Sequence, residues 1–115
     1  MIRGMPPEPR VEQLDDIVAV TLSGELDAYD APTIRASFHD VVGSGPAVIV
    51  LDLTAVTFLD STVLGTIVGL LRRVREAGGE LRTVLPETTA RRIFEITGLD
   101  KALDVRVSRE NALER

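Results

Sequence analysis

The stretch "AVIVLDLTAVTFLDSTVLGTIVGLLRRVREAGGELRTVL", Ala47 to Leu85, decides the fold. It opens with a continuous β-branched run, Ala47 to Leu53, of the kind found in strands covered on both faces or lying at a sheet centre. "TAVTF" reads as a loop leading onward. From about residue 61 to 76 the pattern becomes helical, with Val63, Leu64, Ile67, Val68, Leu70, Leu71 and Val74 as its apolar positions. Arg72, Arg73 and Arg75 stand in the last turns, where the helix dipole favours cations. Gly78-Gly79 closes the helix, and "ELRTVL" is extended again. Strand, helix and strand in this order predict parallel pairing with the helix packed on the sheet.

Working outward, "VEQLDDIVAVTLSG" predicts a hairpin of strands near 9–14 and 17–23 around an Asp15-Asp16 turn, with Gly24 ending the second strand. "ELDAYDAPTIRASFHDVVGSG" supplies a helix. Asp30 is its expected N-cap, Pro32 fits its first turn, Ile34, Phe38, Val41 and Val42 make one apolar stripe, and Gly43 and Gly45 stop it. Beyond the opening stretch, Pro86 begins a third expected helix, "PETTARRIFEITGL", with Ile93, Phe94, Ile96 and Leu99 facing inward. "LDVRVS" is a last short strand, and Ser108 caps a short terminal helix.

The totals set bounds on function. The chain has 115 residues, enough for one domain with a real core. No cysteine is present, which excludes thiol-redox, zinc-finger and disulfide chemistry. The single histidine, His39, lies among helix-surface residues and is expected in solvent, so a Ser-His-Asp triad has little to stand on. A formal charge of −5 and few aromatic rings disfavour a nucleic-acid partner. The apolar runs are too short to insert in a membrane, and "MIRGMPPEPR" lacks a signal-peptide core, so the cytoplasm is the expected location.

Other chemistries fail on their residues. "GSGP" at 43–46 precedes a strand instead of opening a helix, and so is no dinucleotide fingerprint. Asp52 and Asp60 lack a histidine to complete a metal set, and Asp52 is as well suited to facing solvent or capping a turn. A phosphoaspartate receiver would need an acidic pair after its first strand and a lysine after its last, whereas Asp15-Asp16 precede a strand and Lys101 comes before the last one. What remains is Asp60-Ser61-Thr62 at a helix entrance. Either Ser61 or Thr62 caps the helix with Asp60 adding favourable charge, or the same free N–H groups and hydroxyl make a phosphate-accepting switch. Both readings are compatible.

Three motifs combine here: "LSGELDAYDAP" at 22–32, "VIVLDLTAVTFLDSTVLG" at 48–65 and "ARRIFEITGLDKALDV" at 90–105. Their order and spacing resemble the STAS domain family, and within it the bacterial anti-sigma factor antagonists. The resemblance implies an α/β fold with a four- to five-stranded, mostly parallel mixed sheet and helices on one side, over residues 10–115 after a flexible arm at 1–9. It implies a protein that is no enzyme and needs no cofactor. Such an antagonist binds an anti-sigma factor that is a GHKL-type serine kinase, which frees a sigma factor. The kinase inactivates it by phosphorylating the serine after the motif's aspartate, here Ser61, and a PP2C-type phosphatase reverses the mark. ATP then belongs to the partner. The implied docking surface joins Glu25, Asp27 and Tyr29 to Asp60, Ser61, Thr62, Val63, Leu64 and Gly65, and its apolar part suits a hetero-partner or a homodimer. Val63 stands where the family's usual motif has glycine, so the helix must start with ordinary backbone angles. The same fold family also contains non-switching scaffolds of stress-sensing complexes and accessory subunits of membrane transporters, which form the rival expectation.

Overall fold

The structure is a computed structural model and describes residues 8–114. Its elements are β1 (Arg10–Leu14), β2 (Ile17–Leu26), α1 (Ala31–Gly43), β3 (Val48–Leu59), α2 (Ser61–Glu76), β4 (Glu80–Val84), α3 (Arg91–Ile96), α4 (Leu99–Ala102), β5 (Asp104–Arg106) and α5 (Arg109–Ala112). The strands form one five-stranded sheet in the order β1-β2-β3-β4-β5. β1 and β2 are antiparallel, and every later pair is parallel. The expected α/β sheet is therefore present. The expected arm over residues 1–9 lies outside the described residues except for Glu8 and Pro9, which belong to no helix or strand.

Alternation along the central strands sorts the core into two layers. Val18, Val20, Leu22, Ile49, Leu51 and Leu53 point to the face covered by α1 and α2, where Phe38, Ile67, Leu70 and Leu71 meet them. α3 is anchored there by Phe94, whose full burial contributes about 1.5–3 kcal/mol. Ile17, Ala19, Val50 and Val84 point the other way and meet Ala112 of α5. The longer helices thus share one face as expected, while the four-residue α5 lies on the reverse face. A run such as Ile17–Val20, apolar at every position, is explained by this double cover.

Several local expectations need correction. Gly24 does not end β2. It takes φ +78, two register shifts against β3 flank it, and the strand continues to Leu26. Glycine tolerates the left-handed angle that such a bulge requires. "TAVTF" is not a loop, because Ala55, Val56, Phe58 and Leu59 pair with the Ser23–Leu26 end of β2. The third helix does not begin at Pro86. The Glu87 N–H donates to the Thr54 carbonyl (3.4 Å) and the Thr88 hydroxyl donates to the Val56 carbonyl, which ties this irregular segment to β3. The helix starts at Arg91 and is broken at Gly98, φ +75, which separates α3 from α4. Ile96 does not face inward: it is 74% exposed at the last position of α3, a helix too short to bury more than one side.

Candidate functional site

The parallel strands β2 and β3 end side by side, and the chain leaving each one builds half of a corner. Asp60 joins the halves. Its extended backbone (φ −96, ψ 179) makes it the N-cap of α2, and Oδ1 accepts the Val63 N–H at 3.0 Å. Oδ2 accepts the Ala28 N–H at 2.8 Å, and the Asp60 N–H donates to the Leu26 carbonyl at 3.2 Å. One carboxylate therefore caps the helix and fastens the chain that follows β2. This corrects the expectation that Ser61 or Thr62 is the cap. Among residues next to a helix start, only the one in extended geometry can aim its side-chain oxygen at the N–H groups of the first turn. Ser61 and Thr62 are already helical.

The consequence for Ser61 is exposure. It occupies the first helical position, faces solvent, and its hydroxyl has no hydrogen-bond partner among the described residues. Thr62 is exposed as well, and its carbonyl accepts the Thr66 hydroxyl at 3.0 Å. Val63 is fully buried and Leu64 is 9% exposed. Their side chains point into the core and hold the helix start in place. The backbone at Val63 is ordinary, because Asp15 is the single non-glycine at positive φ among the described residues.

Gly65 is exposed on α2, and a Cβ added there would meet nothing within 4 Å. A glycine inside an exposed helix costs about 0.5–1 kcal/mol relative to alanine. Neither internal packing nor a positive φ accounts for it.

The other half of the corner is a compact turn. The Asp30 N–H donates to the Asp27 carbonyl, the Asp27 N–H donates to Asp30 Oδ2, and Asp27 Oδ1 accepts the Tyr29 N–H, each at 2.9 Å. Asp30 stands at the N-cap position of α1 but has helical angles and makes no side-chain cap. Its side chain, 4% exposed, is turned back to close the turn. This corrects its expected capping role. The turn displays Tyr29, which is 77% exposed. Glu25, exposed on β2, pairs with Phe58 of β3. Phe58 is half-exposed beside the corner, a position that sequence reasoning passed over although it opens the "FLDST" motif.

A second polar cluster lies on the reverse face. The Arg109 guanidinium donates to the Thr21 hydroxyl (3.0 Å), to Asp52 Oδ2 (3.3 Å) and to Glu12 Oε1 (3.0 Å). Asp52 Oδ1 accepts from the N–H and hydroxyl of Thr54. Asp52 is 6% exposed and so does not face solvent. Arg82, also buried, donates to the carbonyls of Ala112 and Glu114. Asp52 and Asp60 thus serve separate networks, and no group of three acidic or histidine side chains converges as metal ligands among the described residues. On the sheet margin, Arg106 beside Asp104 holds that carboxyl below its ordinary range. No helix among the described residues is long and apolar enough to cross a membrane.

Comparison with known proteins places this geometry. The family model of the STAS domain matches residues 8–112. The anti-sigma-B factor antagonist of Bacillus subtilis (strain 168) is 32% identical over 104 residues, covering 90% of this chain and 94% of that protein. The crystal structure of an anti-sigma factor antagonist from Mycobacterium paratuberculosis superposes with a TM-score of 0.82 at 32% identity, covering 91% of this chain and 89% of the other. The Bacillus cell fate determinant SpoIIAA, solved in its phosphorylated form, superposes with a TM-score of 0.69 at 25% identity, covering 89% and 94%. Sheet order, Asp60-centred corner and near full-length similarity agree: the chain belongs to the STAS domain family.

Proposed function

We propose that this chain is an anti-sigma factor antagonist controlled at Ser61. Unmodified, it binds an anti-sigma factor that is also a GHKL-type serine kinase, and this releases a sigma factor. Phosphorylation of Ser61 ends the binding, and a PP2C-type phosphatase restores it. The chain itself catalyses nothing, takes no cofactor and works in the cytoplasm.

The observation that carries this reading is the division of labour between Asp60 and Ser61. Asp60 satisfies the capping role, so the neighbouring hydroxyl is left exposed on a rigid corner. A phosphoryl group there would add about −1.5 to −2 charges beside the Asp60 carboxylate. It would also find N–H groups of the first turn that have no intrahelical partner. The charge of the corner changes sharply while the fold beneath it does not. Gly65 supports the same reading, since its missing side chain leaves room on the outer surface for another molecule. Relatives named as anti-sigma-B factor antagonists, and a structural relative solved in a phosphorylated form, supply the class of partner and of modification.

The test is phosphopeptide mapping after incubation with the anti-sigma kinase of the same organism and ATP. Ser61 is expected to carry the label, and Ser61→Ala to bind the kinase but resist release. Label on Thr62 in the unaltered chain, or full labelling of Ser61→Ala, would overturn the assignment. Binding with no label at all would favour a non-switching scaffold or transporter-associated STAS domain.

A further inference from the structure

Strands β2, β3 and β4 are parallel neighbours, so the segments leaving them line one edge of the sheet in the same order. The segment after β2 carries Asp27 and Tyr29, and the end of β3 carries Phe58 and leads into Asp60 and Ser61. The segment after β4 is tied to Thr54 and Val56 of β3. It leads into an open groove lined by Thr88, Thr89, Arg91, Arg92, Glu95 and Ile96.

The groove joins basic and apolar side chains. The protein carries a net charge of −5, yet here two arginines stand exposed on adjacent positions. Neither makes an ion pair with a described residue, and neither does Glu95 on the same helix. Arg82, Arg106 and Arg109 are paired with carboxylates, whereas Arg35 and Arg73, which line another hollow with Asp40, are not paired among the described residues. Beside the free pair, Ile96 exposes 74% of its surface. A small anion would satisfy the arginines and leave Ile96 in water. A nucleic-acid strand would have to pass the acidic groups of the same edge. A protein segment with carboxylates flanking an apolar side chain satisfies both features, because guanidinium groups pair with carboxylates through two parallel hydrogen bonds.

We infer that the docking edge is bipolar: the Arg91–Arg92–Ile96 groove receives an acidic, apolar-tipped segment of the same anti-sigma factor that contacts the Ser61 corner. This rests on the function proposed above. Two poles of opposite charge fix the partner's orientation along the edge. Phosphorylation at Ser61 would then act on one pole and leave the other intact.

The test uses the full chain and the purified anti-sigma factor with which it forms a complex. Arg91→Glu with Arg92→Glu should weaken that complex at least about tenfold at low salt, with the melting temperature unchanged. The difference should shrink to about twofold in 0.5 M salt, where exposed charges are screened. A photo-crosslinking residue at position 96 should capture a partner peptide rich in Asp and Glu. Wild-type binding matched by the double variant, or a crosslink to a neutral or basic peptide, would overturn the inference and leave the function standing. Self-association abolished by the double variant would also overturn it, by making a second copy the occupant. If the wild-type chain binds no anti-sigma factor, the proposed function itself fails and this inference falls with it.

Discussion

The Ser61 corner and the reverse-face clamp both use carboxylates and hydroxyls, yet they are wired differently. In the clamp, side chains bond to side chains: Arg109 reaches Glu12, Thr21 and Asp52 across three strands. Each of these polar groups is spent on another part of the fold. In the corner, carboxylates bond to backbone. Asp60 serves Val63 and Ala28, Asp27 serves Tyr29, and Asp30 serves Asp27. Backbone partners fix the path of the chain without consuming Ser61 or Thr62, whose hydroxyls stay at the surface. A cluster that ties strands together belongs to stability. A cluster that shapes a turn and leaves a hydroxyl at the surface suits the docking role proposed for it.

Substitutions can break this contrast. Arg109→Ala should have the largest effect, because it leaves Asp52 buried without its cation. We expect a loss of about 2 kcal/mol in denaturant unfolding, the scale of a charged hydrogen bond moderated by the two bonds from Thr54. Partner affinity should hold at temperatures where the fold persists. A specific loss of binding by the folded variant would erase the distinction between the regions.

Asp60→Ala comes next. It removes the α2 cap and the tie to Ala28, with an expected cost of about 1–2 kcal/mol. Here partner binding should fall further than stability does, because the two halves of the corner are no longer held together. Calorimetric melting and binding titration on one sample would compare the two losses.

Gly65→Ala sharpens the contrast by reversing sign. The added methyl meets nothing inside the chain, so the helix should gain about 0.5–1 kcal/mol. Binding should weaken if another molecule approaches that surface. A more stable variant that binds as well as the parent would remove Gly65 from the interface. Thr62→Ala is the smallest case. Since Asp60 is the cap, its effect on stability should stay within about 0.5 kcal/mol. A loss above 1 kcal/mol in thermal melts would return a capping role to Thr62.

How much of this was legible in the residues follows from the range of the forces involved. Periodicity and end signals act over a few neighbours, so α2 was readable from 61 to 76, and the Val48–Leu53 part of β3 from its unbroken apolar run. The β/α alternation and the placement of Asp60-Ser61 at a helix entrance were fixed by the same local chemistry. Residues 54–59 were not readable as strand, because two threonines interrupt the run, and what holds them extended is pairing with the far end of β2. The helix start at Arg91 was hidden for a similar reason: its upstream segment is captured by β3 carbonyls some 32 residues away in sequence. Ile96 was misplaced because its apolar nature gave no hint of how short α3 would be.

The sequence by itself therefore determined the alternation of strands and helices, though not all of their ends, and which hydroxyls stand near a helix start. Tertiary structure alone decided that the carboxylate capping α2 also holds Ala28, 32 positions away in sequence. It alone decided that Arg109 meets Glu12 across a sequence separation of 97. The physical reason is that a hydrogen bond is satisfied by whatever group the folded chain brings within about 3 Å. That group is chosen by the packing of the sheet, on which neighbours along the sequence have no say.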